Sequence, residues 1–250
     1  MTIRGIGLHT GEPSTVRLHP AEGPVRFWMG GLEFRPLASS VVDTTRCTVL
    51  GWHHLRLMTV EHLLAALYIR GIWEGLIVEV AGPEIPILDG SAQEWLALLQ
   101  DFPPQGPHPT PVSGTIRVEE GRSSVLAQPA EGFSLTVTIL FPHPKIGYQQ
   151  VQCPPTALAA LASARTFGFL HEVEAMRAQG LIKGASLDNA LVFSEHSFVN
   201  TPRVLHEPVW HKALDFLGDL YLAGRPYQGR FAVHRGSHRL HVELAKLLQG

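Results

Sequence analysis

In the run EPVWHKALDFLGDLYLAG, His211, Asp215 and Asp219 stand at i, i+4 and i+8. On a helix that spacing puts all three on one stripe. An imidazole and a carboxylate one turn apart can hold a divalent ion. The solvated face of an amphipathic helix has the same pattern. Glu61 and His62 open a second run, EHLLAALY, whose other residues are mostly apolar. Polar groups at the start of a buried helix need partners. Adjacent helical residues diverge by about 100°, so His62 can bind an ion while Glu61 acts as a base toward an attacking water. A core histidine behind a capping glutamate looks the same. Ala66 stands four residues after His62, so this is not the two-histidine helix of the common metalloproteases. His238 follows a Gly-Ser turn at a third helix start, as a general acid or as a cap. Together these residues supply three ligands, a base and an acid, the set that zinc-assisted amide hydrolysis requires.

Those residues need helices to carry them and a cleft to face. The pattern predicts a helix over TVEHLLAALYIRG ending at Gly71, a buried strand at GLIVEV, and a helix opened by Ser91 with Glu94 three residues on, a capping-box spacing. The first fifty residues read as strands and turns. Residues 102–114, FPPQGPHPTPVSG, are dense in Pro and Gly and make the best linker. Strands follow, then a helix near PTALAALASA, then the long helix with Pro208 in its first turn and Gly224 past its end. A strand GRFAVHR and a last helix SHRLHVELAKLLQ close the sequence. EHLLAALYIRG can be laid on WHKALDFLGDLYLAG, and SAQEWLALLQ on SHRLHVELAKLLQ. The expectation is an α+β protein of two related domains packed face to face. Residues 1–103 would form the first, 104–114 the linker and 115–250 the second, with the site between them.

Composition narrows the function. The chain has 250 residues, with 20 Lys and Arg against 22 Asp and Glu. It can bury a real core, and it lacks the basic footprint of a nucleic-acid binder. No apolar run approaches the ~20 residues of a membrane span, and residues 1–5 carry no secretory-signal pattern. Only two cysteines occur, Cys47 and Cys153. A cysteine-rich zinc site is excluded, and a reducing cytoplasm is the simplest setting. The 14 histidines leave nitrogen and oxygen to hold any metal.

The motifs GIGLHTG, TVEHLLAAL, GPEIPILDGS, ARTFGF, GLIKGASLDNALV, HKALDFLGDLYLAG and RGSHRLHVEL closely resemble those of the zinc-dependent UDP-3-O-acyl-N-acetylglucosamine deacetylases of lipid A synthesis. The resemblance spans nearly the whole chain in order. It implies Zn(2+) on His62, His211 and Asp215, with Glu61 as general base and His238 as general acid. It implies oxyanion stabilisation by Thr166, and Lys212 and Asp219 binding substrate and supporting the acid. Phe167 would contact the sugar or the acyl entrance, and Arg235 would lie near the nucleotide phosphates. Residues 166–192 match an insert that sheathes the acyl chain, with Phe169, Leu170, Val173, Met176, Leu181 and Ile182 as apolar lining. The implied partner is a small acylated UDP-sugar, and the implied protein is a cytoplasmic monomer that binds no nucleic acid and is not inserted in the membrane. Two departures stand out. The family has a strand of about ten residues before GIGLHTG, and here the motif comes almost at once. Trp210 stands where the family usually has Arg before HK. These leave open a zinc deacetylase for another acylated or nucleotide-linked amino sugar, and a non-catalytic sugar-nucleotide binder.

Overall fold

The computed structural model describes residues 1–249. Five helices are labelled in chain order: α1 Glu61–Arg70, α2 Gln93–Leu98, α3 Val173–Ala178, α4 Glu207–Tyr221 and α5 His238–Gln249.

Two main sheets share one wiring. The first runs Thr2–Ile6, Pro13–Pro24, Glu74–Ala81, Arg26–Met29, Leu32–Phe34 across its width. The second runs Ile116–Glu120, Ser123–Gln128, Tyr227–His234, Phe133–Phe141, Gly147–Cys153. In each, the last strand in sequence enters the middle, antiparallel to the second strand and parallel to the third. A helix precedes that central strand (α1 or α4) and another follows it (α2 or α5). The likeness of the two helix pairs in sequence is therefore a likeness of whole α+β units.

Each sheet buries one face by simple alternation. Val16 and Leu18 on one strand and Leu76, Val78 and Val80 on its neighbour are all buried, and full burial of each such side chain stabilises by about 1.5–3 kcal/mol. Against the buried faces lie α1 and α4, packed on each other. Their contact is close because residue 218 is glycine. A Cβ there would overlap the carbonyl oxygen of Glu61. Both helices are enclosed: Glu61 to Leu67 and nearly all of α4 are buried. The polar stripe of α4 is thus not a solvated face, and its acids and imidazole must find partners inside the protein.

Each unit carries an insert at the same topological place, ahead of α1 or α4. In the first it is a small sheet of Val41–Asp43, Val49–Trp52 and Leu55–Leu57. In the second it is a parallel pair, Phe167–Phe169 with Leu191–Phe193, joined through α3.

Several local expectations change. A strand does precede GIGLHTG: Thr2–Ile6 pairs with Pro13–Pro24 and shares Gly5 and Ile6 with the motif itself. The segment Pro155–Ser163 is a 3-10 helix. Two prolines begin it, and only Leu161 and Ala162 are buried, so little packing draws it into a wider α-turn. Helix α2 starts two residues after Ser91. Ser91 accepts the Gln93 N–H at 3.1 Å, while Asp89 rather than Glu94 takes the Ser91 N–H at 3.1 Å. Residues 102–114 are stitched down. Gln105 bonds the backbone of Gly71, Trp73 and Glu74, and Thr110–Pro111 pairs with Tyr227–Gln228.

Candidate active site

The first turn of α1 faces the middle of α4 across the Gly218 contact, and a cavity of about 400 Å³ opens there. Glu61, His62, Thr166, Phe167, Val173, His211, Lys212, Asp215 and His238 all line it. A larger opening of about 560 Å³, walled by Arg35, Thr110–Val112 and Leu247–Gln249, holds no comparable cluster of ionisable groups and is not the site of the chemistry.

One His from α1 and a His and Asp from α4 converge. Ligand-capable atoms of His62, His211 and Asp215 all lie within 4.8 Å of one another. Asp215 Oδ1 is 3.2 Å from His211 Nε2 and 4.0 Å from His62 Nε2. That oxygen is buried and accepts no hydrogen bond, an arrangement that costs free energy unless something else occupies the point it faces. His211 Nδ1 lies 3.1 Å from the Ala164 carbonyl oxygen. A hydrogen on Nδ1 would donate there and leave Nε2 as a lone-pair donor toward the gap. Burial lowers the pKa of His62 to about 3, with His211 adding to the shift. Burial also lowers that of His211. The Asp215 carboxyl is held below the usual range. Burial pushes it up most strongly, but His211, Lys212, His238 and His62 together outweigh that. Two neutral imidazoles and one carboxylate make a donor set suited to a divalent cation.

The second cluster is built on Asp219. It is fully buried and accepts the Thr48 hydroxyl on Oδ1 at 2.5 Å. On Oδ2 it meets His238 Nδ1 at 2.8 Å and His241 Nδ1 at 2.9 Å. His238 Nε2 then points toward Glu61 Oε1, 3.9 Å away. The Thr48 N–H donates to Glu61 Oε2 at 3.1 Å. Burial raises the Glu61 pKa to about 8. Burial would lower the His238 pKa, but Asp219, Glu61 and Asp215 outweigh it and push it up to about 9. A carboxyl group whose proton is held up to about 8 and an imidazole whose proton is held up to about 9 thus face the same cavity, next to the ligand-like trio.

Lys212 is half-buried. Its Nζ donates to Asp215 Oδ2 at 2.9 Å and lies 5.7 Å from the centroid of the Phe167 ring. Phe169, Met176 and Ile182 continue the apolar wall. Leu170 does not: it is 53% exposed and lies outside the lining, as does Leu181. Arg235 is also outside it. Its backbone, at φ 52°, turns the chain into α5 and its N–H donates to Thr138.

Sequence reasoning missed several residues here. His9, in GIGLHTG, is buried in the cavity wall with neither ring nitrogen hydrogen-bonded. Its loop is fixed by Glu84, which accepts from the N–H groups of His9 and Thr10 and from the hydroxyls of Thr10 and Thr59. Arg165 pairs with Glu207 in a fully enclosed bridge at 2.9 Å and so ties the Thr166 segment to the start of α4. Thr48 and His241 complete the Asp219 cluster. The position of His241, three residues after His238, was the one available signal.

Fold and site together define a class: an α+β protein whose buried His62–His211–Asp215 set, with Glu61 and His238 beside it, lies between two like-wired units. The sequence profile of the UDP-3-O-acyl N-acetylglycosamine deacetylases (LpxC) matches residues 1–249. The chain is 41% identical to the UDP-3-O-acyl-N-acetylglucosamine deacetylase of Thermosynechococcus vestitus, over 98% of this chain and 90% of that one. It is 39% identical to the enzymes of that name from Brucella melitensis and Brucella ovis, over 99% of this chain and 92% of theirs. The chain belongs to this family.

Proposed function

We propose that the chain removes the N-acetyl group of UDP-3-O-acyl-N-acetylglucosamine as acetate, in lipid A synthesis, using zinc held by His62, His211 and Asp215. The observation that carries the metal assignment is the unpaired, buried Asp215 Oδ1 facing the Nε2 atoms of both histidines. When bound, zinc supplies Lewis acidity that acidifies a water and polarises an amide carbonyl.

The chain's own groups do the rest. Glu61, anchored through Oε2 to the Thr48 N–H, has Oε1 available to take the proton of the attacking water. His238 holds a proton on Nε2 and delivers it to the departing amine as the C–N bond breaks, leaving free glucosamine nitrogen and acetate. Asp219 orients His238. The Thr166 hydroxyl sits on the cavity wall and donates to the carbonyl oxygen as it gains charge. Lys212 and Phe167 hold the polar part of the substrate beside Asp215. The apolar wall of Phe169, Val173, Met176 and Ile182 takes the acyl chain. Leu170 and Arg235 have no part in this reading.

Trp210 gives no support to a different substrate. It packs half-buried against the core and does not line the cavity. A binder without catalysis would have no need of the Glu61–His238 arrangement. No helix among the described residues is long and apolar enough to cross a membrane, in keeping with a cytoplasmic enzyme that draws its lipid-bearing substrate into the cavity.

The test is acetate release from UDP-3-O-acyl-N-acetylglucosamine by zinc-loaded protein. About one zinc per chain is expected, with His62→Ala and Asp215→Ala both losing it. Undiminished zinc in either variant sinks the ligand assignment. No acetate from the loaded wild type sinks the activity.

A further inference from the structure

We propose that His241 is a positioning residue. With Thr48 it fixes the carboxylate of Asp219, and through it the direction in which His238 Nε2 points into the cavity. The inference rests on the reading of His238 as proton donor.

Asp219 receives three donors: the Thr48 hydroxyl on Oδ1, and the Nδ1 atoms of His238 and His241 on Oδ2. An ionised carboxylate only accepts, so both rings carry their hydrogen at Nδ1. For His238 this sets which nitrogen faces Glu61. Without the other two donors, Asp219 has freedom to turn about its terminal torsion, and the ring of His238 turns with it. Thr48 and His241 remove that freedom from opposite sides, one oxygen each.

His241 does not line the cavity, so it acts through Asp219 and not on substrate. Packing alone is a poor reason for an imidazole there. Its Nε2 is buried without a partner, an arrangement that costs free energy. That nitrogen is pressed toward Gly236, where an added Cβ would sit against it. The ring edge meets Phe216 perpendicularly, centroids 5.3 Å apart. An apolar ring would fill the same space with no orphaned atom. What it would lack is the Nδ1 donor. Burial lowers the His241 pKa although Asp219 opposes it, which favours the neutral form that donates without setting a second cation beside His238. The charged and titratable groups around His238 include Glu61 and His62 from α1, His211, Asp215 and Asp219 from α4, His241 from α5 and His9 from the loop after the first strand.

Three variants and one spectrum test this. His241→Phe keeps the ring and loses the donor. His241→Asn keeps an N–H where Nδ1 was. Thr48→Val keeps the shape and loses the hydroxyl. His241→Phe and Thr48→Val should each lower kcat about tenfold or more with KM and zinc content unchanged, and His241→Asn should recover kcat to within about threefold of wild type. In wild-type protein, imidazole nitrogen NMR should show neutral His241 with its hydrogen on Nδ1. Wild-type kcat and an unaltered pH profile in His241→Phe overturn the proposal. So does a His241 hydrogen found on Nε2, a measurement that needs no variant to fold. Failure of the underlying reading looks different: His238→Ala then turns over as fast as wild type, and the donor role falls together with the inference built on it.

Discussion

At the residue scale, the site is organised by where protons are held. Burial raises Glu61 to about 8, and the surrounding carboxylates raise His238 to about 9 against its own burial. Glu61 must be ionised to act as base, and His238 must be protonated to act as acid. kcat/KM should therefore rise on the acid side as Glu61 loses its proton. That limb should sit below pH 8, because a bound dication favours the charged carboxylate. It should fall again as His238 loses its proton, at or below about 9, because the same dication disfavours the imidazolium. A profile still flat past pH 10 would remove His238 from the role. The two cysteines are a contrasting case. Both are buried, and burial raises Cys153 to about 11 and Cys47 further still. Native protein should leave both unreacted with a thiol reagent that labels them at once in denaturant. Rapid native labelling at Cys47 would mean that the core beside Glu61 opens.

Element-scale behaviour turns on how α1 and α4 touch. Gly218 allows the approach that brings Glu61 and His62 to the α4 stripe. Gly218→Ala should cost about 1–3 kcal/mol of stability by overpacking. It should also reduce turnover more than any exposed substitution, because the displaced atom belongs to Glu61, the proposed base. Normal kcat with normal Tm would show that the helices yield more easily than their packing suggests. The Arg165–Glu207 bridge makes a similar case. Glu207→Gln leaves a buried guanidinium without its charge partner, and breaking such a pair costs about 3–5 kcal/mol. Both helices could be read from the sequence, since apolar runs, Pro208 and the closing glycines mark their extent. Their mutual depth could not. A His and two acids at helical spacing look the same on a solvated face as in a core, and only the second layer of protein decides. The Thr48–Asp219 bond joins residues 171 positions apart, and no local pattern announces it. Leu170 shows the reverse error. Its apolar type suited a lining, but a turn of 3-10 helix, Leu170–Glu172, points it to solvent.

For the whole molecule, the consequence is coupling between metal and stability. The proposed ligands come from both units, so an ion held there binds the folded arrangement and not the unfolded chain. Free zinc at a hundred times its Kd would add about 2.7 kcal/mol. In a chain of this size each kcal/mol moves Tm by about 2–4 °C, so a chelator should lower Tm by several degrees. Asp215→Ala should melt at one temperature with or without the chelator. A chelator shift that survives in Asp215→Ala would place the stabilising ion elsewhere.

The shared wiring also says something about symmetry. Gly71 and Gly224 each stand three residues before the central strand of their unit, and His62 and Asp215 each stand nine residues before that glycine. The two therefore stand at matching positions along the two units, and their side chains meet, with His62 Nε2 4.0 Å from Asp215 Oδ1. A protein of one unit could oppose such positions only by pairing with a copy of itself, and both would then be the same residue. Two units in one chain are free of that constraint. One position is an imidazole and the other a carboxylate, Glu61 lies beside the first and His211 one turn before the second, and the proposed base Glu61 and proposed acid His238 come from different units.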